Sequence, residues 1–300
     1  MKPVLKLSTR NGVLFQGDCL DVLEAIRGNT VDCIFADPPF NLGKKYGSRR
    51  TRDRMPESKY LEWTRKWLDE CVRVLKPGGS LFVYHVPRWL MPIGDYLLSC
   101  GTMEFRHWIA VKMKNHFPVA GRLHPAHYGL LYFTKAGGRS TFHVVRTPSP
   151  VCPHCGELLR DYGGYGKKYL TDRDDRPMIQ LADVWDDVGP MTRGKTRPKS
   201  VNELTQTIPE RAIRISTKRG QVVLDPFVGG GSSLAAAERL GRMWIGSELG
   251  TTAHARRLIG EAGCVARVTM RPELGALFVE GPGGLRGSRV RLKGRQGWKP

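Results

Sequence analysis

The run Val31-Asp32-Cys33-Ile34-Phe35-Ala36, halted at once by Asp37-Pro38-Pro39, constrains the fold more than any other part of the chain. It is long enough for a buried strand and too short for a helix, and two successive prolines cannot continue a ladder of backbone hydrogen bonds. The residues before it supply a partner. Val13-Leu14-Phe15 leads into Gly17-Asp18, and Cys19 to Arg27 has helical spacing, so strand, helix and strand follow one another as a βαβ unit. Lys59 to Leu75 carries Leu61, Leu68, Val72 and Leu75 as a helical stripe that ends at Pro77-Gly78-Gly79. Strands are predicted at Ser80 to His85, Trp108 to Lys112 and Tyr128 to Phe133. The pattern breaks between 134 and 200, where Gly, Pro and charged residues are dense, and then returns. Glu203 to Ser216 and Ser232 to Leu240 read as helices, Gln221 to Leu224 and Met243 to Gly246 as strands. Alternation of this kind predicts an α/β fold, an open and mostly parallel sheet with helices on both faces and ligands at the carboxyl ends of its strands.

Charge narrows the partner. The 300 residues hold 48 Lys and Arg against 28 Asp and Glu, a formal charge of +20, which suits a polyanion. Seven cysteines, an odd number without framework spacing, fit a reducing compartment. Met1 to Arg10 lacks an apolar signal core and no stretch reaches the about 18 apolar residues of a membrane span, so a soluble, cytoplasmic protein with no membrane partner is expected.

Two turns at strand ends carry chemistry. Asp225-Pro226-Phe227-Val228-Gly229-Gly230-Gly231-Ser232-Ser233 joins a strand to a helix, and its glycines let the backbone approach a ligand closely. Glu248 ends the following strand, where a carboxylate can accept hydrogen bonds from both hydroxyls of a ribose. In Asp37-Pro38-Pro39-Phe40 the prolines remove two amide donors and leave carbonyls without internal partners. Such a turn is suited to accepting hydrogen bonds. The Asp37 carboxylate and the Pro38 carbonyl can each take one N–H of an exocyclic amine, drawing its nitrogen toward tetrahedral geometry and aiming the lone pair outward. Phe40 is expected to stack on the base.

Together these motifs resemble the amino-directed DNA methyltransferases, which make N6-methyladenine or N4-methylcytosine. The catalytic motif at 37–40 precedes the cofactor motif at 225–231, as in that family's beta subgroup. The resemblance spans residues 11 to 135 and 200 to 260. It implies the seven-stranded, Rossmann-like fold of S-adenosylmethionine-dependent methyltransferases with a small inserted recognition region. It also implies that Asp225, Phe227, Gly229 and Gly231 lie along the cofactor's methionine end, Glu248 on its ribose and Asp18 on its adenine. The implied reaction is direct in-line attack by an amino nitrogen on the sulfonium methyl, without a covalent enzyme intermediate or a metal. The base would be flipped out of double-stranded DNA. Asp at the first motif position favours adenine N6, with cytosine N4 as the alternative. A restriction-modification setting follows, and a homodimer is compatible with it. A non-catalytic nucleic-acid-binding module fits less well with intact Asp37 and Glu248. Relatives often read His-Pro-Thr-Gln-Lys-Pro before the cofactor strand, and Thr205-Gln206-Thr207-Ile208-Pro209 departs from this.

The remaining segments take expected places in that plan. Residues 1–133 form the catalytic half, 134–199 the insert and target-recognition region, 200–278 the cofactor-binding half and 279–300 a basic tail. Lys44, Lys45, Arg49 and Arg50 follow the catalytic turn directly and are expected to contact phosphates. Tyr162, Tyr165, Lys167, Lys168 and Tyr169 of the insert are open to two equal readings, contact with DNA or shaping of a loop. Cys152-Pro153-His154-Cys155 is half of a zinc knuckle without its other half, and no metal is assigned to Cys152 and Cys155.

Overall fold

The computed structural model describes residues 2–43, 54–112, 120–121, 123–152, 154–157, 170–171, 177–188, 204–263 and 272–279. Its first half runs β1 (Val4–Ser8), β2 (Gly12–Gln16), α1 (Cys19–Ala25), β3 (Val31–Ala36), α2 (Glu57–Val74), β4 (Leu75–His85), α3 (Pro87–Ser99), β5 (Met103–Lys112) and β6 (His127–Lys135). Four short strands follow, β7 (Arg146–Pro148), β8 (Leu170–Thr171), β9 (Pro177–Gln180) and β10 (Val184–Trp185). The second half is α4 (Thr207–Ser216), β11 (Val222–Asp225), α5 (Ser232–Arg239), β12 (Met243–Glu248), α6 (Ala253–Ala262) and α7 (Pro272–Gly275).

Among the described residues nine strands make the main sheet, in the order β1-β2-β12-β11-β3-β4-β6-β5-β10. The seven from β2 to β5 match the predicted sheet, and a short strand is added at each edge. β2, β12, β11, β3 and β4 are mutually parallel, whereas β6 runs against both of its neighbours. β3 and β11 are buried along their whole length because both faces of the sheet are covered. The side chains of α1, α2 and α3 share one core with one face, and those of α4, α5 and α6 share another with the opposite face.

Connectivity places the crevice. From β3 the chain crosses to β4, and from β11 it crosses to β12 in the other direction, so these adjacent strands flank the point where the winding reverses. The turns after Ala36 and after Asp225 therefore open side by side on the carboxyl edge, with Glu248 one strand further and Gly17-Asp18 one beyond that.

Three local readings change. Pro77-Gly78-Gly79 lies inside β4, in a bulge where Leu75 faces Val31 and Ser80 faces Cys33. Gly78 adopts φ +79° there, and the carboxylate of buried Asp32 anchors the bulge by accepting from Lys76 Nζ (2.9 Å) and from the Val222 amide (2.8 Å). α3 was not expected, because Pro87 opens it and Pro92 lies within it. Its buried Trp89, Leu90, Ile93 and Leu97 nevertheless keep helical spacing. Within the insert, β7, β9 and β8 pair as a small antiparallel sheet, whose short strands give too little periodicity to read.

Candidate active site

Asp37-Pro38-Pro39-Phe40 leaves the end of β3, and its backbone is held by neighbouring helices. Tyr60 of α2 donates its hydroxyl to the Pro39 carbonyl (2.6 Å), and the Trp89 indole N–H of α3 donates to the Phe40 carbonyl (3.0 Å). Among the described residues none donates to the Pro38 carbonyl. Asp37 is half-buried beside Tyr84 and Tyr128. Burial first, and the Asp37 carboxylate second, push both phenols up, so they remain protonated.

The open platform expected of Phe40 is not what the fold provides. Its ring is 6 % exposed and stacks on the His85 imidazole at 4.5 Å and 27°, with Tyr128 at 5.6 Å and Tyr84 at 6.1 Å. The cause lies in the register of β4, which pairs Val83 with Ala36 and so brings Tyr84 and His85 to the turn. Half-buried Tyr128, at the start of β6, lies across the same cluster. Tyr60, Tyr84, His85, Trp89 and Tyr128 were all missed as site residues. Tyr84-His85 at the carboxyl end of a strand beside the catalytic one was the available signal.

The glycine turn divides its labour. Gly229 has φ +50°, and a Cβ there would meet only the Phe227 carbonyl, at 3.8 Å, so this position faces open space. Gly231 has φ +92°, and a Cβ there would stand 2.8 Å from Ala255 Cα. Gly231 therefore serves close packing of the turn on α6. Asp225 likewise turns inward. At 2 % exposure its carboxyl accepts from the Phe227 amide (2.8 Å) and from the Ser233 hydroxyl, so it shapes the turn. Burial pushes its pKa up to about 7, against the lowering effect of those two bonds. Phe227 sets its ring edge-on to Trp67 (5.2 Å) and Trp63 (5.7 Å) of α2, joining the glycine turn to the catalytic half.

Glu248 ends β12 with its carboxylate accepting from the amides of Gly229 (2.8 Å) and Gly250 (2.5 Å). A carboxylate at this strand end is an acceptor of the kind that two ribose hydroxyls require. Asp18 caps α1 by accepting from the Leu20 amide (3.0 Å). These positions can hold an adenosyl group along the strand ends.

Lys44, Lys45, Arg49 and Arg50 lie outside the described residues, as do Tyr162, Tyr165, Lys167, Lys168, Tyr169 and the basic tail. Cys152 and Cys155 share a tight turn closed by the Gly156 amide on the Cys152 carbonyl (2.9 Å). Among the described residues no group of three His, Cys, Asp or Glu is placed to hold a metal ion. Nor is any described helix long and apolar enough to cross a membrane.

Comparison with known proteins bears on this arrangement. The model of the N6/N4 DNA methylase family matches residues 31–256, from the catalytic strand through the glycine turn to α6. The chain belongs to the DNA methylase family. Among relatives of this methylase, the Type II methyltransferase M.BamHI of Bacillus amyloliquefaciens is 46% identical over 239 residues, 80% of this chain and 55% of the relative. M.HpaI of Haemophilus parainfluenzae is 29% identical over 236 residues, 79% of this chain and 69% of the relative. The chain thus spans little more than half the length of M.BamHI. In fold it resembles the PvuII DNA methyltransferase (cytosine-N4-specific), with a TM-score of 0.58 at 15% identity, covering 89% of this chain and 91% of that one. The Thermus thermophilus protein TTHA0409, complexed with S-adenosyl-L-methionine, gives 0.55 at 20% identity, covering 85% and 97%.

Proposed function

We propose that this methylase transfers the methyl group of S-adenosylmethionine to the exocyclic amino group of a base flipped from double-stranded DNA. The observation that carries the reading is the adjacency, across the winding reversal, of a turn that offers acceptors for an amine and a turn that offers room and acceptors for an adenosyl cofactor. The residues fit that cofactor. Glu248 would accept from its ribose hydroxyls, the open face of Gly229 would let it approach the backbone, and Asp18 lies where its adenine would reach. Bound there, S-adenosylmethionine supplies an electrophilic methyl on a positively charged sulfur.

The chain supplies orientation and charge. Asp37 and the Pro38 carbonyl accept the two N–H groups of the amine, which localises its lone pair and stabilises the positive charge that grows on nitrogen during attack. Tyr84 and Tyr128, kept protonated, surround Asp37 with a part-apolar wall in which a carboxylate acts more strongly than in water. Neither thiolate nor metal is needed. Lys44, Lys45, Arg49 and Arg50 would hold phosphates beside the entrance.

Two amines satisfy this geometry. Asp37 as the motif's first residue favours adenine N6, while the cytosine-N4 specificity in the name of the PvuII enzyme favours cytosine N4. Incubation with labelled S-adenosylmethionine and unmethylated DNA, followed by digestion to nucleosides, identifies the product. Label is expected in N6-methyl-2′-deoxyadenosine or N4-methyl-2′-deoxycytidine and to be absent with Asp37→Ala. Activity that survives Asp37→Ala, or label at cytosine C5, would overturn the reading.

A further inference from the structure

The backbone of the catalytic turn is held by a directed chain of hydrogen bonds that starts in the neighbouring strand. His85 Nδ1 accepts from the Val86 amide at 2.8 Å, so the ring proton sits on Nε2. Nε2 lies 2.8 Å from the Tyr60 hydroxyl oxygen, to which it therefore donates. The single O–H of Tyr60 is then committed to the Pro39 carbonyl at 2.6 Å. His85 and Tyr60 are both 0 % exposed, and the same imidazole carries the Phe40 ring on its face at 4.5 Å. Trp89 completes the hold through the Phe40 carbonyl at 3.0 Å. Of three consecutive carbonyls, those of Pro39 and Phe40 are tied down from behind, and that of Pro38 has no donor among the described residues.

We propose that His85 and Tyr60 are positioning residues for methyl transfer, which fix the peptide plane after Pro39 so that the Pro38 carbonyl and Asp37 stand together toward the incoming amine. The inference rests on the amino-methyltransferase reading of the site. Its logic is one of direction. Two prolines fix φ at 38 and 39, the second also confines ψ at 38 to the extended range, and a donor on the Pro39 carbonyl fixes the remaining rotation, ψ at 39. The donor is dependable because burial holds the imidazole neutral, with its pKa pushed down to about 3, so the order of donors stays the same over the range in which such an enzyme is assayed. A packing role alone would need the ring shapes of Tyr60 and His85 and would not need this order.

The test compares Tyr60→Phe, His85→Phe and His85→Gln in the full chain, by steady-state methylation of DNA, cofactor affinity and thermal melting. Tyr60→Phe keeps the ring and loses the donor. It is expected to lower kcat roughly 10- to 100-fold, the cost of a misplaced reacting group, with KM for DNA and cofactor affinity little changed. His85→Phe should behave alike, and His85→Gln, whose amide can still donate to Tyr60, should recover part of the rate. A Tyr60→Phe enzyme with kcat within about threefold of wild type, or one whose losses in rate, cofactor affinity and melting temperature run in parallel, would overturn the proposal. A wild-type chain that transfers no methyl group overturns the function itself, an outcome distinct from an active wild type with an indifferent Tyr60→Phe.

Discussion

Asp225 and His85 are ionisable residues whose burial pushes their pKa values in opposite directions, and the signs make their effects separable. Asp225 has its folded pKa raised from 3.8 to about 7, so between these values the folded state holds a proton that the unfolded chain has released. Its contribution is present below about pH 4 and is lost as pH rises to about 7, at ~1.4 kcal/mol per unit at most. His85 has its folded pKa depressed from 6.5 to about 3, so the unfolded chain binds the extra proton and stability is lost as pH falls through that window. Between about pH 4 and 6.5 the two slopes oppose each other and largely cancel. Asp225→Asn keeps an acceptor for the Phe227 amide and gains a donor for Ser233 while removing the ionisation. It is expected to melt higher than wild type at pH 8, and to show the unmasked His85 slope as stability that rises from pH 4 to 6.5. Denaturant melts at these pH values would contradict this if Asp225→Asn were weaker than wild type at pH 8.

Elements are positioned by turns, and Gly231 is where one turn depends most on a missing side chain. An alanine there would adopt a left-handed φ and drive its Cβ against Ala255 Cα at 2.8 Å, backbone that cannot yield without moving α6. Gly231→Ala is expected to cost about 2–4 kcal/mol, the sum of a strained φ and overpacking, and to weaken cofactor binding by shifting Gly229 from Glu248. Calorimetric melting and cofactor titration measure both effects, and a stable variant with full affinity would refute the packing role. The same turn shows what the sequence made legible. A strand followed by glycines and a helix could be placed to within a residue, since β11, α5 and β12 rest on local apolar periodicity. α3 could not, because Pro87 and Pro92 argue locally against a helix that burial of Trp89 and Leu97 secures. Within the site, Asp37 and Glu248 were legible as carboxylates at strand ends. The inward turn of Asp225 and the burial of Phe40 were not, because they depend on which side chains adjacent strands and helices deliver to the crevice, which is set by register.

At the scale of the whole molecule, the formal charge of +20 suits a polyanionic partner. Asn41, directly after the catalytic turn, gives its side-chain amide to the Met55 carbonyl (3.0 Å) and accepts from the Met55 amide (2.7 Å). This reciprocal pair joins two described residues that flank, in sequence, the stretch containing Lys44, Lys45, Arg49 and Arg50. If those four cations hold phosphates of a duplex, as proposed, each neutralised phosphate releases condensed counterions. Affinity for DNA should therefore fall steeply with salt. Replacing Arg49 and Arg50 together by alanine should weaken binding to all sequences alike and lower the slope of log K against log salt by about two, or roughly 0.9 for each phosphate no longer neutralised. Cofactor affinity should stay unchanged, because Glu248 ends β12 and Gly229 lies in the turn after β11, far along the sequence from Arg49 and Arg50. Fluorescence titration over a range of salt concentrations gives both quantities. An unaltered slope would mean that the charge of this segment is solvated and that the duplex is held elsewhere on the surface.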